Sequence, residues 1–389
     1  MISKTKVKDI LIVVSFIFPL VTRYLLLSSV DILLIRNWFG LPIYLPNLLF
    51  IYFLVFGQRR ESLYKNLNSI VICQFVFCII GICLNTFSNS FASLFCGSYY
   101  FWGIFIALFY SFTNKQIEIL KPILLFVFVA LVFEIFLFSF GILSYSNDIV
   151  GETFSRVNRI STTIGASTGS SIIMYLLGGI LFYLYRNSKI RYFILISLLV
   201  SILMLMSRST ILSLILLIAI YEYRLIYKNF LGFCAIIFIF FILYHYGLFT
   251  PVIERTKSLS ESNNFDSNRG ELVMKYLKNV RDNLFWGVGL GNVYASSDFL
   301  SMYDSMNSGA PHNSYILTLL EQGVIGFFLF ILFWIKYLFI IVKKNRYLFF
   351  LTLFLLLIIF NAETILITDS EYCFLITILI MLNLDINSK

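Results

Sequence analysis

Long apolar runs alternate with short polar segments along almost the whole chain. An α-helix needs about 20 predominantly apolar residues to cross the hydrocarbon core of a bilayer. The pattern therefore predicts an all-α, polytopic integral membrane protein with about 12 transmembrane helices. The predicted spans lie near residues 10–28, 38–57, 67–85, 91–112, 122–143, 169–185, 192–207, 209–222, 230–249, 313–341, 347–362 and 370–385. The two short spans at 192–207 and 209–222 predict a hairpin that turns at Ser207-Arg208-Ser209-Thr210.

Composition agrees with a membrane protein. Hydrophobic residues make up 60% of the 389 residues, aromatic residues 18% and charged residues only 13%. A soluble domain carries about a quarter charged residues. The net charge of +9 is spread over short loops, whereas a nucleic-acid partner would need a clustered basic face. The expected partner is therefore the lipid bilayer and not a nucleic acid.

Basic residues in the short loops predict the orientation, because cytoplasmic loops carry an excess of Lys and Arg. The short loops of one side hold only Arg36, Arg156 and Arg159. The other side is therefore predicted to be cytoplasmic, with both termini on it. Its basic residues are Lys4, Lys6, Lys8, Arg59, Arg60, Lys65, Lys115, Lys121, Arg186, Lys189, Arg191, Arg224, Lys228, Lys343, Lys344 and Arg346.

The polar segment at 250–311 is predicted to be a large external loop within a single transmembrane domain that covers residues 1–389. Long loops cross the membrane largely regardless of charge, so its basic residues do not contradict this topology. Asp266 or Ser267 can cap a helix that is apolar on one face and basic on the other. Such an amphipathic helix is predicted to lie at the membrane surface.

The polar segments restrict the chemistry. The cytoplasmic loops are too short for a nucleotide-binding domain, and the sequence has no phosphate-binding loop and no DxD metal motif. The glycines of residues 287–291 lack the spacing and the strand-then-helix context of a dinucleotide fingerprint, so they are interpreted as flexible turn glycines. An enzyme at the outer face then needs a substrate that brings its own leaving group, as a sugar linked to a lipid pyrophosphate does.

Four arginines in predicted outer segments are candidates for binding that pyrophosphate: Arg208 at the hairpin tip, Arg269 at the start of the loop helix, and Arg156 and Arg159 before the sixth span. The guanidinium group stays charged and donates paired hydrogen bonds to phosphate oxygens. An arginine that snorkels to lipid head groups is the alternative for Arg208, and an ordinary surface charge is the alternative for Arg269.

His312 is one of two histidines, and it lies in Pro311-His312-Asn313 at the start of the tenth span. Histidine can accept a proton from an attacking hydroxyl near neutral pH, which makes His312 a candidate catalytic base. The other histidine, His245, stands between Tyr244 and Tyr246 and fits an interfacial aromatic belt.

The order of these pieces resembles the O-antigen ligase and polymerase superfamily of bacteria. His312-Asn313 followed by Gly323-Val324-Ile325-Gly326 is similar to its signature. The three other pieces are Ser207-Arg208-Ser209-Thr210, the segment from Arg269 through the glycine turn at 283–292, and Arg159-Ile160-Ser161 through Gly165. The resemblance covers roughly residues 155 to 340, and the residues before it match only in hydropathy.

The resemblance implies a helical glycosyltransferase of the bacterial inner membrane that uses a glycan on undecaprenyl pyrophosphate and no metal or other cofactor. It implies that Arg208 and Arg269 neutralise the pyrophosphate and that His312 acts as a base or orients the acceptor. Arg159, Arg156 and Asn313 are the implied substrate-binding residues. A chain-length regulator is an open partner.

Two activities within the superfamily stay open at this stage. A polymerase joins lipid-linked repeat units, and the stretches from Asp282 to Asn292 and from His312 to Tyr315 favour it. A ligase transfers the glycan to the lipid A core, and Arg159-Ile160-Ser161 with Gly165 and Gly169 favours that reaction. A flippase for the same lipid-linked glycan is the alternative from another class, but the sequence shows no internal repeat of the kind common in transporters.

Overall fold

The apolar runs fold mainly into α-helices. The structure, a computed structural model, describes residues 4–25, 34–38, 41–44, 52–60, 65–84, 99–140, 142, 167–205, 207–221, 284–287, 289, 313–362 and 370–385. The helices are α1 (Lys4–Leu25), α2 (Lys65–Leu84), α3 (Tyr99–Phe109), α4 (Asn114–Ser139), α5 (Ser167–Leu184), α6 (Ile190–Met204), α7 (Arg208–Tyr221), α8 (Ser314–Val342), α9 (Arg346–Phe354), α10 (Phe360–Ala362) and α11 (Ser370–Asp385). A π-helical segment, Leu355–Ile359, joins α9 to α10.

The prediction of helix from residue 38 is wrong at Trp38 and over Leu41–Tyr44. Strands β1 (Leu34–Trp38) and β2 (Leu41–Tyr44) form an antiparallel pair there, in which Trp38 faces Leu41 and Asn37 faces Pro42. Pro42 has no N–H to donate and would disrupt a helix interior, while two strands of this length suit an apolar stretch interrupted by Gly40. Helix is described only at residues 52–56 within this predicted span.

A second small sheet shortens the next predicted spans. Strands β3 (Gln58–Arg59) and β4 (Tyr110–Ser111) pair antiparallel, so the helix predicted to reach residue 112 ends at Phe109. Helix α4 then begins well before the predicted residue 122. Thr113 and Gln116 form a reciprocal capping box, in which each side chain accepts the backbone N–H of the other residue, at 3.2 and 3.1 Å.

The chain divides into two compact units, Met1–Ile123 with Arg269–Lys389, and Leu124–Asn268. In the first unit α2 packs along α8, and α3 packs along α11. The Phe16 ring lies 4.6 Å from the Phe53 ring and 5.1 Å from the Phe112 ring, measured between centroids. This unit holds the described part of the predicted external loop and the start of the predicted tenth span.

The second unit contains α5, α6 and α7, with α5 packed against α6 and α7 in contact with both. Gly178 of α5 lets the helices approach closely, because a Cβ at this position would lie 2.7 Å from a methyl carbon of Leu198. The short spans predicted at 192–207 and 209–222 fall on the two helices α6 and α7, and that these helices cross the membrane stays a prediction. Leu205 and Ser207 are the described residues between the two helices.

Two helices among the described residues are long and apolar enough to cross a bilayer, Asn114–Ser139 and Ser314–Val342, and six shorter apolar helices accompany them. The number of spans therefore stays a prediction. The predicted span at 230–249 and the amphipathic helix of the external loop lie outside the described residues. Of that loop the structure describes residues 284–287 and Gly289.

Candidate active site

Arg208 is the first residue of α7, and its side chain is exposed. The residue before it, Ser207, is buried and supplies the carbonyl that accepts hydrogen bonds from the Ile211 N–H at 3.0 Å and from the Thr210 hydroxyl at 3.0 Å. The backbone around Arg208 is therefore fixed by the first turn of the helix. The predicted hairpin tip is in fact a helix N-terminus.

This position is unfavourable for a cation and favourable for a bound anion. The N-terminus of an α-helix carries roughly half a positive charge, so an acidic residue usually stabilises the first turn and a basic residue destabilises it by about 0.3–1 kcal/mol. The first turn of α7 contains Arg208 and no acidic residue. A phosphate group at this point would interact favourably with both the guanidinium and the helix N-terminus.

Asn313 caps helix α8. Its side-chain oxygen accepts hydrogen bonds from the N–H groups of Tyr315 at 2.9 Å and Ile316 at 3.1 Å. Its side-chain nitrogen donates to the carbonyl of Asn361 at 3.3 Å. The cap thus starts α8 at Ser314 and ties that start to the end of α10. The predicted contact of Asn313 with substrate stays a prediction.

Tyr315 holds the same helix start against the π-helical segment. Its hydroxyl donates to the carbonyl of Leu356 at 2.7 Å. Its ring makes edge contacts with the rings of Phe327, Phe330 and Phe360, at centroid distances from 6.0 to 6.4 Å. The π-helix changes the local backbone pairing of the next helix, and the Leu356 carbonyl within it accepts the tyrosine hydroxyl.

Helix α8 is broken at Gly323, where φ is 64° and ψ is −174°. Residues 284–287 and Gly289 lie against the break, and two backbone hydrogen bonds join them to it. The Gly289 N–H donates to the Glu321 carbonyl at 3.0 Å, and the Val324 N–H donates to the Leu284 carbonyl at 2.9 Å. We call this arrangement of residues 284–287 and Gly289 with Glu321–Val324 the loop–helix joint.

At two glycines of the joint, Gly287 and Gly323, a side chain would collide with the backbone of the other segment. Gly287 has φ of 70°, and a Cβ there would collide with the backbone of Glu321. A Cβ at Gly323 would collide with the carbonyl of Phe285, and its combination of φ and ψ is essentially confined to glycine. The glycines interpreted from the sequence as flexible turn residues therefore include Gly287, which is packed tightly against a helix.

Polar side chains are buried beside the joint. The side chain of Glu321 is 0% exposed. The side-chain nitrogen of Gln74 in α2 donates to the side-chain oxygen of Gln322 at 2.7 Å. The Trp286 ring stacks on the Phe77 ring of α2 with 5.7 Å between centroids. The joint is thus fixed to two helices of the first unit, α8 and α2.

The remaining predicted site residues, His312, Arg269, Arg159 and Arg156, lie outside the described residues. Arg208 and Asn313 belong to different compact units. The structure brings Asn313 together with Tyr315 and Asn361, which the sequence interpretation did not single out. The signal for Tyr315 was its position two residues after Asn313, and the signal for Gln74, Glu321 and Gln322 was their polarity within apolar runs.

The apolar helices are those of a membrane protein. The arginine at the start of α7 makes that point a candidate site for an anionic group. Residues 192–331 match the model of the O-antigen ligase family. This range includes Arg208, Asn313 and the loop–helix joint. This match supports the O-antigen ligase and polymerase superfamily and confirms the resemblance found in the sequence. Members of this family transfer glycans and act in lipopolysaccharide biosynthesis. No curated protein matches the sequence.

Proposed function

We propose that this protein is a polysaccharide polymerase of the bacterial inner membrane. It joins oligosaccharide repeat units that are carried on undecaprenyl pyrophosphate into O-antigen or capsular polysaccharide at the outer face. The protein crosses the membrane about 12 times, with both termini in the cytoplasm and residues 250–311 outside.

The family match over residues 192–331 carries this proposal. It covers the positions of Arg208, Arg269, His312 and Asn313, which the sequence singled out for chemistry. The placement of Arg208 supports it further, because an exposed arginine at a helix N-terminus suits an anionic group. In the proposed reaction this anionic group is the pyrophosphate of the lipid-linked glycan.

In the proposed reaction, a hydroxyl of the acceptor sugar attacks the anomeric carbon of the donor glycan. The new carbon–oxygen bond forms as the bond to pyrophosphate breaks, and the bonding electrons leave with undecaprenyl pyrophosphate. His312 accepts the hydroxyl proton or orients the hydroxyl, and Arg208 and Arg269 stabilise the charge on the leaving oxygen. Removal of one such donor typically costs about 3 kcal/mol of transition-state stabilisation. Attack from the face opposite the leaving group inverts the anomeric centre.

Transfer of the glycan to the lipid A core is the second candidate, because the matched family is described as O-antigen ligase. Both reactions need the same donor and the same leaving group. They differ in the acceptor, which is another lipid-linked repeat unit for a polymerase and the completed core for a ligase.

Deletion of the gene in its own bacterium separates the two activities on a gel of surface polysaccharide. Loss of a polymerase leaves single repeat units on the lipid core. Loss of a ligase leaves bare core, with the chains retained on the carrier lipid. Unchanged surface glycan would refute both activities.

Purified protein in lipid nanodiscs or vesicles separates an enzyme from a transporter. The substrate is the lipid-linked repeat unit extracted from the deletion strain. A polymerase converts it into a ladder of longer glycans and releases undecaprenyl pyrophosphate. Movement of the lipid across vesicles without any transferred sugar would refute the enzyme and indicate a flippase.

A further inference from the structure

The first part of α8, residues 314–322, is held at both ends. At its start, Asn313 and Tyr315 bond to the carbonyls of Asn361 and Leu356. At its end, the loop–helix joint contributes the two backbone hydrogen bonds to Leu284 and Gly289. These nine residues span about 13 Å along the helix axis. The two sets of hydrogen bonds therefore hold opposite ends of one short helical segment.

A broken helix in a membrane protein can serve as a ligand site, because the break leaves backbone N–H and C=O groups without intrahelical partners. Here the loop residues of the joint form hydrogen bonds with those groups. The Glu321 carbonyl accepts from Gly289, and the Val324 N–H donates to Leu284. The hydrogen bonds at the break therefore join the loop to the helix. The backbone groups that form them are not free to bind an ion.

We propose that the loop–helix joint is a positioning element of the transfer reaction. It sets the place of residues 314–322, and with them of Asn313, relative to residues 284–287 and Gly289. This inference rests on the proposed function, because the residue before Asn313 is His312, the proposed base. Val324, Gly287 and Gly323 act as positioning residues in it.

The physical reason is that a break in a helix would otherwise allow residues 314–322 to move relative to the rest of α8. A helix interrupted at Gly323 can hinge there, because glycine gives the least restricted backbone. Two backbone bonds to a loop that is itself stacked on α2 through Trp286 remove that freedom. A small displacement of a catalytic group can lower the rate by a factor of about 100, so a fixed joint matters for the rate.

Val324→Pro is the sharpest test. Val324 is the first residue after the break, and its N–H bonds to Leu284 of the loop. Proline is accepted in the first turn of a helix because the N–H that it lacks has no intrahelical partner there. It also favours an extended residue before it, and the ψ of −174° at Gly323 meets that preference. The substitution therefore removes one hydrogen bond of the joint, and the proline ring displaces the Leu284 carbonyl from α8. The helix after the break keeps its own hydrogen bonds.

Val324→Ala is the matched control, because it shortens the same side chain, which is 42% exposed, and keeps the N–H. Wild type and both variants are compared in nanodiscs with the lipid-linked repeat unit from the deletion strain. We expect Val324→Pro to lower kcat by about tenfold or more, with KM for the donor within about twofold of wild type. The melting temperature should fall as well, because the Leu284 carbonyl loses its donor. Val324→Ala should match wild type.

Each other result contradicts the inference. Equal kcat for Val324→Pro and Val324→Ala shows that the bond to Leu284 does not position the reaction. A loss of donor affinity in proportion to the loss of kcat in Val324→Pro shows a merely structural bond. Wild-type protein that transfers no sugar overturns the proposed function itself, and the positioning role with it, so the two failures are distinguishable.

Discussion

Replacement of Arg208 by glutamine tests whether the start of α7 binds the leaving group. The substitution removes one positive charge from an exposed side chain and leaves a shorter, uncharged amide. If Arg208 contacts the pyrophosphate, the transfer rate should fall by a factor of 100 to 1,000, as is typical when one donor to developing negative charge is removed. That range corresponds to about 3–4 kcal/mol of transition-state stabilisation.

The same substitution should have little effect on folding. An exposed side chain away from a core contributes about 0.5 kcal/mol or less. A positive charge in the first turn of a helix opposes the helix dipole by about 0.3–1 kcal/mol. We therefore expect the free energy of unfolding of Arg208→Gln to stay within about 1 kcal/mol of wild type. A large loss of rate at constant stability is the signature of a functional residue.

The assay combines complementation of the deletion strain with transfer measured in nanodiscs. Arg191→Gln is the matched control, because Arg191 lies in the first turn of α6 in the same compact unit, on the predicted cytoplasmic side. The Arg191 side chain bonds to the carbonyl of Arg186 and to the hydroxyl of Tyr192. Arg208→Lys, which keeps the charge but not the paired donors, should lose less activity than Arg208→Gln.

Normal chain length from Arg208→Gln at normal protein level would refute the role of Arg208. A melting temperature that falls together with activity would assign Arg208 to folding instead. Equal losses in Arg208→Gln and Arg191→Gln would point to net charge, for instance through lipid binding, and would remove the argument from the helix N-terminus.

Substitutions at three positions test the anchorage of α8 through thermal unfolding in detergent and protein level. Asn313→Ala removes the cap and should cost about 1–2 kcal/mol, whereas Asn313→Asp keeps the capping oxygen and should cost less; equal costs would contradict the cap. Tyr315→Phe removes the hydroxyl bonded to the Leu356 carbonyl and should cost about 1 kcal/mol, and an unchanged melting temperature would show that this bond contributes nothing. Gly323→Ala forces a side chain into the carbonyl of Phe285 and should cost about 3 kcal/mol or more, so a normal amount of stable protein would refute the fixed joint.

Most helices could be predicted because their signal is local. The run at 67–85 folds as Lys65–Leu84, and the run at 313–341 as Ser314–Val342. An apolar run of this length excludes most alternatives to a helix in a bilayer. The hairpin at 34–44 was missed because its residues are as apolar as those of a span. Pro42 was the available signal against a helix at that point.

The polar part of the site was predicted less completely, because it depends on contacts between distant segments. The sequence identified Arg208 and Asn313 as candidates, but not that Arg208 begins a helix. It did not reveal that Asn313 reaches Asn361 or that Tyr315 reaches Leu356. Neither bond has a local pattern, since each joins α8 to the helical segment that follows it in the chain.

The loop–helix joint shows why a glycine motif can be misinterpreted when it is taken alone. Gly287 by itself suggests a flexible turn, and Gly323 by itself suggests a weak point in a long helix. In the structure each glycine lacks a side chain, and this leaves room for the backbone of the other segment. Since buried backbone groups must find partners in an apolar medium, the break in α8 needs this loop, and the loop's conformation needs the break. The two segments therefore form one structural unit, and a displacement of residues 284–287 and Gly289 would have to move residues 314–322 as well.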